Sequence, residues 1–574
     1  METHRVALIG HIGILARSTA EALEQRGHLT CLLDLSQPPE NLASFRPSRI
    51  ICFPFAPTLA RSHRNQISHD LSYLKKVLHW AAGSGVTRAI LRSHAYAYGS
   101  SMKNPGMMHE ERISLLAKDS LERRWLQAED LLWAAAKAEP SSNFSVAAVR
   151  LTNILRAEEG DFITHLLTRR AAIPLAGYDP RVQFLTLSDA AAALVAAVLS
   201  GGSGVFNISG EGTVSFRDAL RAACPVRIPV AGPVQRRIRS FLWKAGLGRF
   251  PSESVEQVRY NWTISSEKSR RELGFVPQTD TLHALKEFLQ ARPKSRPERL
   301  NSSYDDYGLN PEYLARLESW FNFLRKIYWR VEVEGIENVP SSGPALLVAN
   351  HRGFMPFDGV IHRSLILAHK NRHIRFLVIP SLFKFPFLSD FLIRQGGVVA
   401  SQQNAKRLFD RGELVGIFPE GISGAFRMYK GAYQMGEFGK DAFAKMAVEN
   451  SVSMIPAAVI GHVEIFPILA RVNSSAVTRF TGWPYLPITP TFPLLPIPLP
   501  TKWHIRYLEP VSVGKLRPED AENPKLVKDL SQHVKDVLQR NVDEMLARRK
   551  HIFFGRIFEN PVGSGKQESI PAQE

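Results

Sequence analysis

Cysteine is scarce in this sequence: among 574 residues there are three, Cys31, Cys52 and Cys224. They stand far apart in apolar stretches, with neither pairing nor metal-ligand spacing. That excludes a disulfide framework and a structural metal site, and leaves packed thiols in a reducing compartment. Long apolar runs are also missing, since none reaches the roughly 18 residues of a membrane-spanning helix. The opening METHRVALIGHIGILARS enters a strand-turn-helix pattern at once and shows no cleavage site, so no signal peptide is expected. Acidic side chains are in deficit, 54 Asp and Glu against 72 Lys and Arg, for a net charge of +18. Such a balance points to an anionic partner, nucleic acid or an acidic membrane surface. No recognised nucleic-acid motif or glycine-rich basic tail accompanies it, which favours the membrane and argues against nucleic acid.

What is present is the composition of a folded protein, 44% hydrophobic and 22% charged. The length exceeds what one hydrophobic core sustains, so two or more domains are expected. Short apolar runs alternate with helical patterns in the first half (RVALIG, LTCLLDL, SRIICFPF, TRAILRS, SVAAVRL), predicting an α/β domain with a parallel sheet over residues 1–295. Residues 296–312 are rich in Pro, Ser, Asn and charge and read as a linker. A second αβ domain follows over 313–555, closing on PKLVKDLSQHVKDVLQRNVDEMLARRK at 524–550, which has apolar residues at helical spacing. The tail, 556–574, has too little apolar surface to fold. Proline recurs every two to four residues through much of 483–507, an otherwise very apolar stretch. It therefore reads as chain lying on protein or dipping into a membrane interface, not as a spanning helix.

In the first half, VALIGHIGILARSTAEALEQRGHLTCLLDLS places Gly10, Gly13 and Ala16 at the turn between a strand and a helix, with Asp34 ending the next strand. Small residues there let the backbone approach a pyrophosphate at the helix N-terminus, and the acid suits a ribose hydroxyl. Together with SHAYAYGS at 93–100, VQFLTLSDAAAALVAAVL at 182–199, GVFNISGEGTVSFRDAL at 204–220 and ELGFVP at 272–277, the segment from about 4 to 290 resembles the extended short-chain dehydrogenase/reductase family, the NAD-dependent epimerase and dehydratase type. The resemblance implies a Rossmann-like doubly wound parallel sheet that binds NAD(P) through Gly10, Gly13, Ala16 and Asp34. That family works through a Tyr-x-x-x-Lys pair. In DSLERRWLQAEDLL the matching positions hold Leu121 and Trp125, neither of which does proton chemistry, so nucleotide binding without turnover is expected.

In the second half ALLVANHRGFMPFDGVIH, 345–362, runs from a buried-strand pattern into Asn350, His351, Arg352 and Gly353, then reaches Asp358. A histidine whose second nitrogen is held by a carboxylate can take a proton from an alcohol. Seven residues of helix would separate the pair by about 10 Å, so the chain must fold back, and Gly353 and Pro356 suit such a turn. GELVGIFPEGISG, 412–424, gives another strand ending in Phe418, Pro419, Glu420 and Gly421; SVSMIPAAVIG ends a third. Strands ending side by side put a site at one sheet edge.

From about 320 to 515 this set resembles the glycerolipid acyltransferases, of lysophosphatidic-acid acyltransferase type and especially the diacylglycerol-acyltransferase-like branch. The resemblance implies acyl transfer from acyl-CoA or acyl carrier protein to a lipid hydroxyl such as that of lysophosphatidic acid, with His351 as general base and Asp358 orienting it. Asn350, Arg352, Gly353, Phe418, Pro419, Glu420 and Gly421 would then hold substrate, with Arg394, Lys406, Arg407, Lys430 and Arg427 as the basic residues available for a phosphate. Two departures stand out: the spacing is H-x6-D where most of the family has H-x4-D, and the family's arginine just after the glycine segment is absent. The expectation is a two-domain, metal-free, peripheral membrane acyltransferase of phospholipid biosynthesis on the cytoplasmic face. A bifunctional enzyme with an active oxidoreductase half, an acyltransferase using diacylglycerol or another alcohol, and a non-enzymatic lipid- or nucleotide-binding scaffold are the alternatives. Oligomeric state is not readable.

Overall fold

The short aliphatic runs form strands and the periodic segments between them form helices, in two units, Met1–Gly308 and Leu309–Glu574. The structure, a computed structural model, describes all residues but 1, 57–62, 118–119, 139–143, 157–160, 246–249, 251, 301–302, 354, 495–496, 560 and 562–574. The division falls inside the segment read as a linker. Its described residues before Leu309 pack on the first unit, however: Leu300 is buried in that unit's core, the Arg296 amide donates to the Ala222 carbonyl at 2.7 Å, and Arg181 covers the Tyr304 ring at 4.6 Å. A few apolar side chains in a polar stretch suffice to anchor it.

In the first unit, β1 (Arg5–Gly10), β2 (Leu29–Asp34), β3 (Arg49–Phe53), β4 (Arg88–His94), β5 (Ser145–Leu151) and β6 (Gly204–Ile208) form one parallel sheet in the order β6-β5-β4-β3-β1-β2. Because strand side chains alternate, Val6 and Leu8 enter one core with α1 (Ile14–Glu24), while Ala7, Ile9 and Cys52 enter another with α2 (Arg124–Ala138) on the opposite face. This is a Rossmann-like doubly wound sheet. The chain crosses to the other side of β1 after two strands, and only a short 3-10 turn, Pro39–Leu42, lies between Asp34 and Arg49. Relative to the six-strand 3-2-1-4-5-6 order, the outermost strand-helix unit beside β2 is missing. The switch point lies between β1 and β3. Burial pushes the Cys52 thiol up to about 12 and that of Cys224 to about 11, as packed thiols require.

The second unit holds β7 (Glu332–Glu334), β8 (Ala345–Ala349), β9 (Ile374–Val378), β10 (Val398–Val399), β11 (Leu414–Ile417), β12 (Met454–Ile460) and β13 (His504–Tyr507), in the order β7-β13-β12-β8-β11-β9-β10. All pairings are parallel except β12 with β13. Every residue of β8 is buried, as a central strand of a two-sided sheet demands. Its neighbours are β11 and β12, so the chain leaves three adjacent strands at one edge, at His351, Glu420 and His462. The helix read at 524–550 spans Pro524–Arg548 and buries Val527, Val534, Leu538 and Val542. Among the described residues no helix is long and apolar enough to cross a membrane. The proline-rich stretch lies partly on the surface, with Leu494 91% exposed, and becomes strand β13 after its last proline. Of the tail, Ile557 and Phe558 pack down, Phe558 edge-on to His504 at 5.8 Å; the disorder read for its remainder falls on 562–574, outside the described residues.

Candidate active site

After β8 the chain turns at Gly353, whose φ of +92° favours glycine, and folds back to start α3 (Phe357–Lys370) at Pro356. Asp358 therefore stands in the first helical turn, where the positive end of the helix favours a carboxylate. The fold-back brings His351 Nδ1 within 2.8 Å of Asp358 Oδ2, while the Arg352 amide donates to the same oxygen at 3.2 Å. A ring nitrogen held by a carboxylate carries its proton, so Nε2 of His351 is left as an acceptor. The His351 side chain is 16% exposed and that of Asp358 1%. Burial opposes ionisation of Asp358, yet its carboxyl lies below the usual range because neighbouring positive character and hydrogen bonds outweigh burial. His462, the first of those neighbours, is itself held neutral by burial, at about 3. The His351 and Arg352 N–H donors are accordingly the partners that keep the carboxylate charged near neutrality.

Arg352 and Glu420 form a buried ion pair, both within 4% exposure. Arg352 also donates to the carbonyls of His351 at 2.6 Å, Gln434 at 3.0 Å and Ala432, and Glu420 Oε1 accepts the Gly436 amide at 2.7 Å. The pair thus ties the turn after β8 to the turn after β11 and to the 432–436 segment. Pro419 joins the same turn through its carbonyl, which accepts Gly439 N at 3.0 Å. Asn350 spends its amide on β12: it donates to the Val459 carbonyl at 3.0 Å and accepts Val459 N at 2.8 Å. Phe418 lies with its ring 4.6 Å from that of His351 and stacks on Phe376 at 5.1 Å.

Sequence reading missed the histidines behind this dyad. His462 follows β12 and approaches Asn350 Nδ2 at 3.4 Å; His362, one turn beyond Asp358 on α3, meets the Tyr507 hydroxyl at 2.9 Å. Both are buried, and burial lowers His362 to about 4. The only sequence signal was a histidine two residues past a strand, at His462 as at His351.

Beside His351 opens an apolar cavity of about 140 Å³ lined by Met355, Val360, Phe376, Leu392, Ile422 and Trp483 among others, with Phe418 and Gly421 at its wall. Gly421 has φ +52°. Arg394, by contrast, does not line it: its guanidinium bonds Asp390 at 2.9 Å and covers the Tyr313 ring at 5.2 Å. Lys430 is exposed on a turn.

In the first unit Gly10 ends β1 with φ +120°, and a Cβ there would meet the Phe53 carbonyl oxygen at 2.3 Å. Gly13 caps α1 in extended conformation, Ala16 is buried in its first turn, and Asp34 is exposed at the end of β2, in register with Gly10. Its Oδ1 accepts the Ser36 amide at 3.1 Å.

Comparison with known proteins matches residues 330–460 to the family described as Acyltransferase. An uncharacterized protein of Mycobacterium leprae is 37% identical over 270 residues, covering 45% of this chain and 72% of that one. One from Mycobacterium tuberculosis is 35% identical over 267 residues, covering 45% and 74%. The Bos taurus protein described as DGAT1/2-independent enzyme synthesizing storage lipids is 28% identical over 218 residues, covering 37% of this chain and 59% of that one. Among solved structures, MoeE5 in complex with UDP-glucose and NAD is similar with a TM-score of 0.39 at 19% identity, covering 50% of this chain and 97% of that one. The UDP-glucose 4-epimerase of Thermotoga maritima gives a TM-score of 0.39 at 16% identity, covering 50% and 97%.

Proposed function

Given that the chain belongs, through its second unit, to the acyltransferase family, we propose that it moves a fatty acyl group from a thioester, acyl-CoA or acyl carrier protein, to the hydroxyl of a lipid acceptor such as 1-acylglycerol 3-phosphate. The observation that carries this reading is the 2.8 Å His351–Asp358 contact beside an apolar cavity. Nε2 of His351 takes the proton of the acceptor hydroxyl, and Asp358 stabilises the imidazolium that forms. The oxygen adds to the thioester carbonyl; collapse of the tetrahedral intermediate breaks the carbon–sulfur bond, and the leaving thiolate receives the proton from the imidazolium. The cavity holds the acyl chain. Asn350, Arg352, Gly353, Pro419 and Glu420 act by holding the turns that carry His351 and Phe418.

Work at a membrane surface fits the exposed apolar side chains Phe387, at 69%, and Leu494, at 91%, and the net charge of +18, which favours the anionic, cytoplasmic face of a membrane. Phe387 neighbours Phe385, whose ring lies 6.4 Å from that of the cavity residue Trp483.

A second acceptor class, diacylglycerol or another uncharged alcohol, is favoured by the pairing of basic residues expected to take a phosphate: Arg394 is bonded to Asp390 and Lys406 to Asp410, while Lys430 is exposed on a turn. Thioester consumption by the full chain against a panel of lysophosphatidic acid, diacylglycerol and simple alcohols, with His351→Ala as control, tests both. Turnover by the His351→Ala protein equal to wild type would overturn the mechanism, and the preferred acceptor decides between the classes.

A further inference from the structure

The fold of the first unit implies a dinucleotide, and one end of its cleft suits it: the Gly10 turn admits no side chain, and the N-terminus of α1 follows at Gly13. The other end does not. Trp125, 3% exposed, stands where the dehydrogenase family carries its lysine, and three nitrogenous side chains close around the indole. The guanidinium carbon of Arg92, on β4, lies 4.7 Å from the Trp125 ring centre and that of Arg124, on α2, 5.1 Å; the His94 ring stacks at 5.8 Å. Phe55 meets the indole edge-on at 5.1 Å. No nicotinamide chemistry is derivable from this set.

Buried nitrogens of the cluster, Nε2 of His94 and Nε of Arg124, lack hydrogen-bond partners. Arg92 is 9% exposed and lines the cleft at the carboxyl ends of β3 and β4, yet it has no hydrogen-bond acceptor among the described residues. Arg124 is 5% exposed; its nearest carboxylate, Glu122, is 3.7 Å away, and its Nε is buried without an acceptor. His94 accepts the Tyr96 amide at Nδ1 (3.0 Å), which leaves its Nε2 protonated, buried and unbonded. The acid facing it, Asp161, stands 3.7 Å off and caps the helix Phe162–Leu167 by accepting Thr164 N at 3.0 Å. Burial lowers Arg92 to about 10, with the neighbouring charge of Arg124 adding to the effect. Two guanidiniums taken out of water side by side, with glutamate and aspartate near but outside hydrogen-bond distance, form a costly arrangement unless an anion completes it.

We propose that this cleft is a binding site for a small organic anion, a carboxylate or phosphate on a ring or short apolar body, held by Arg92 and Arg124 with His94 as a third donor. The planar fork of arginine matches either group, and Phe53, Tyr96, Phe162 and Phe250 wall the cleft for the apolar part. The site is separate from His351 and does not depend on the acyl-transfer reading.

The test is titration of the full chain with phenyl phosphate, benzoate, inorganic phosphate and NAD+, followed by calorimetry and thermal melting, for wild type, Arg92→Gln, Arg124→Gln and Arg92→Lys. Phenyl phosphate or benzoate should bind and raise the melting temperature, with affinity falling at least about tenfold in either glutamine variant and less in Arg92→Lys, which keeps the charge. Which of the two binds tighter identifies the anionic group. Ligand-free Arg92→Gln should melt no lower than wild type, since it removes an unpartnered buried charge, and its acyl transfer should be unchanged. The proposal is overturned if none of the anions binds at millimolar concentration, if binding is indifferent to both glutamine substitutions, or if NAD+ binds more tightly than either aryl anion.

Discussion

His351 Nδ1 and Asp358 Oδ2 are 2.8 Å apart although six residues lie between them, because the chain doubles back at Gly353 before α3 begins. The two extra residues relative to the shorter family spacing are absorbed in that turn, and Asp358 gains a helix N-terminus in the process. Replacing His351 by Ala should lower acyl-transfer turnover by about 10²- to 10⁴-fold. Asp358→Asn, which no longer fixes the ring tautomer, should cost up to about 10⁴-fold. Thioester-consumption rates measured beside circular-dichroism melts check both: the His351→Ala protein should stay folded while losing turnover, with a melting temperature lowered by the loss of one partner of the buried Asp358 carboxylate.

Breaking the Arg352–Glu420 pair should act on folding. Glu420→Gln leaves a guanidinium buried without its counter-charge, a change that costs about 3–5 kcal/mol in buried pairs. A urea titration should show the midpoint of the second unit's transition fall accordingly. A midpoint within error of wild type would mean that the three backbone carbonyls bonded by Arg352 suffice to hold it.

How much of this was legible in the sequence follows from distance along the chain. The strand ALLVA, the glycine turn and the need for His351 and Asp358 to meet are all local, and each follows from residue size, backbone freedom and helix rise. The first unit's strands were legible for the same reason, through aliphatic runs bounded by turns. The Arg352–Glu420 pair spans 68 residues and Asn350–Val459 spans 109, so both depend on which strands become neighbours of β8, and no local pattern encodes that. The same ignorance of strand order hid His462, the unpaired guanidiniums around Trp125 and the shortened β2 side of the first sheet. Arg394 reads as an available cation in the sequence because its pairing with Asp390, one helical turn earlier, exists only once the helix Leu388–Arg394 forms.

Acid should destabilise the second unit well above the carboxylate range. Burial holds His362 at about 4 and His462 at about 3, whereas both titrate near 6.5 in the unfolded chain. The unfolded state then binds protons that the native state refuses. Their contribution to stability is therefore fully present above about pH 6.5 and is lost as pH falls toward 4, by up to about 1.4 kcal/mol per pH unit for each histidine. Asp358, depressed in the native state, adds loss of the same sign at lower pH. Denaturant unfolding between pH 7 and 5 should show the slope, and His462→Gln should reduce it by about one proton.

The cavity beside His351 should set acyl-chain length. Leu392 is 6% exposed and contributes to its wall, and enlarging that side chain removes space that hydrocarbon would fill. Each methylene excluded from a hydrophobic pocket is worth about 1–3 kcal/mol in kcat/KM. Leu392→Trp should therefore cut kcat/KM for long-chain thioesters by at least about tenfold while leaving short-chain donors near the wild-type value, because the His351–Asp358 pair is untouched. Competition between octanoyl and palmitoyl donors in one reaction reads the ratio directly. A uniform fall for both lengths would place the acyl chain elsewhere and leave this cavity to the acceptor.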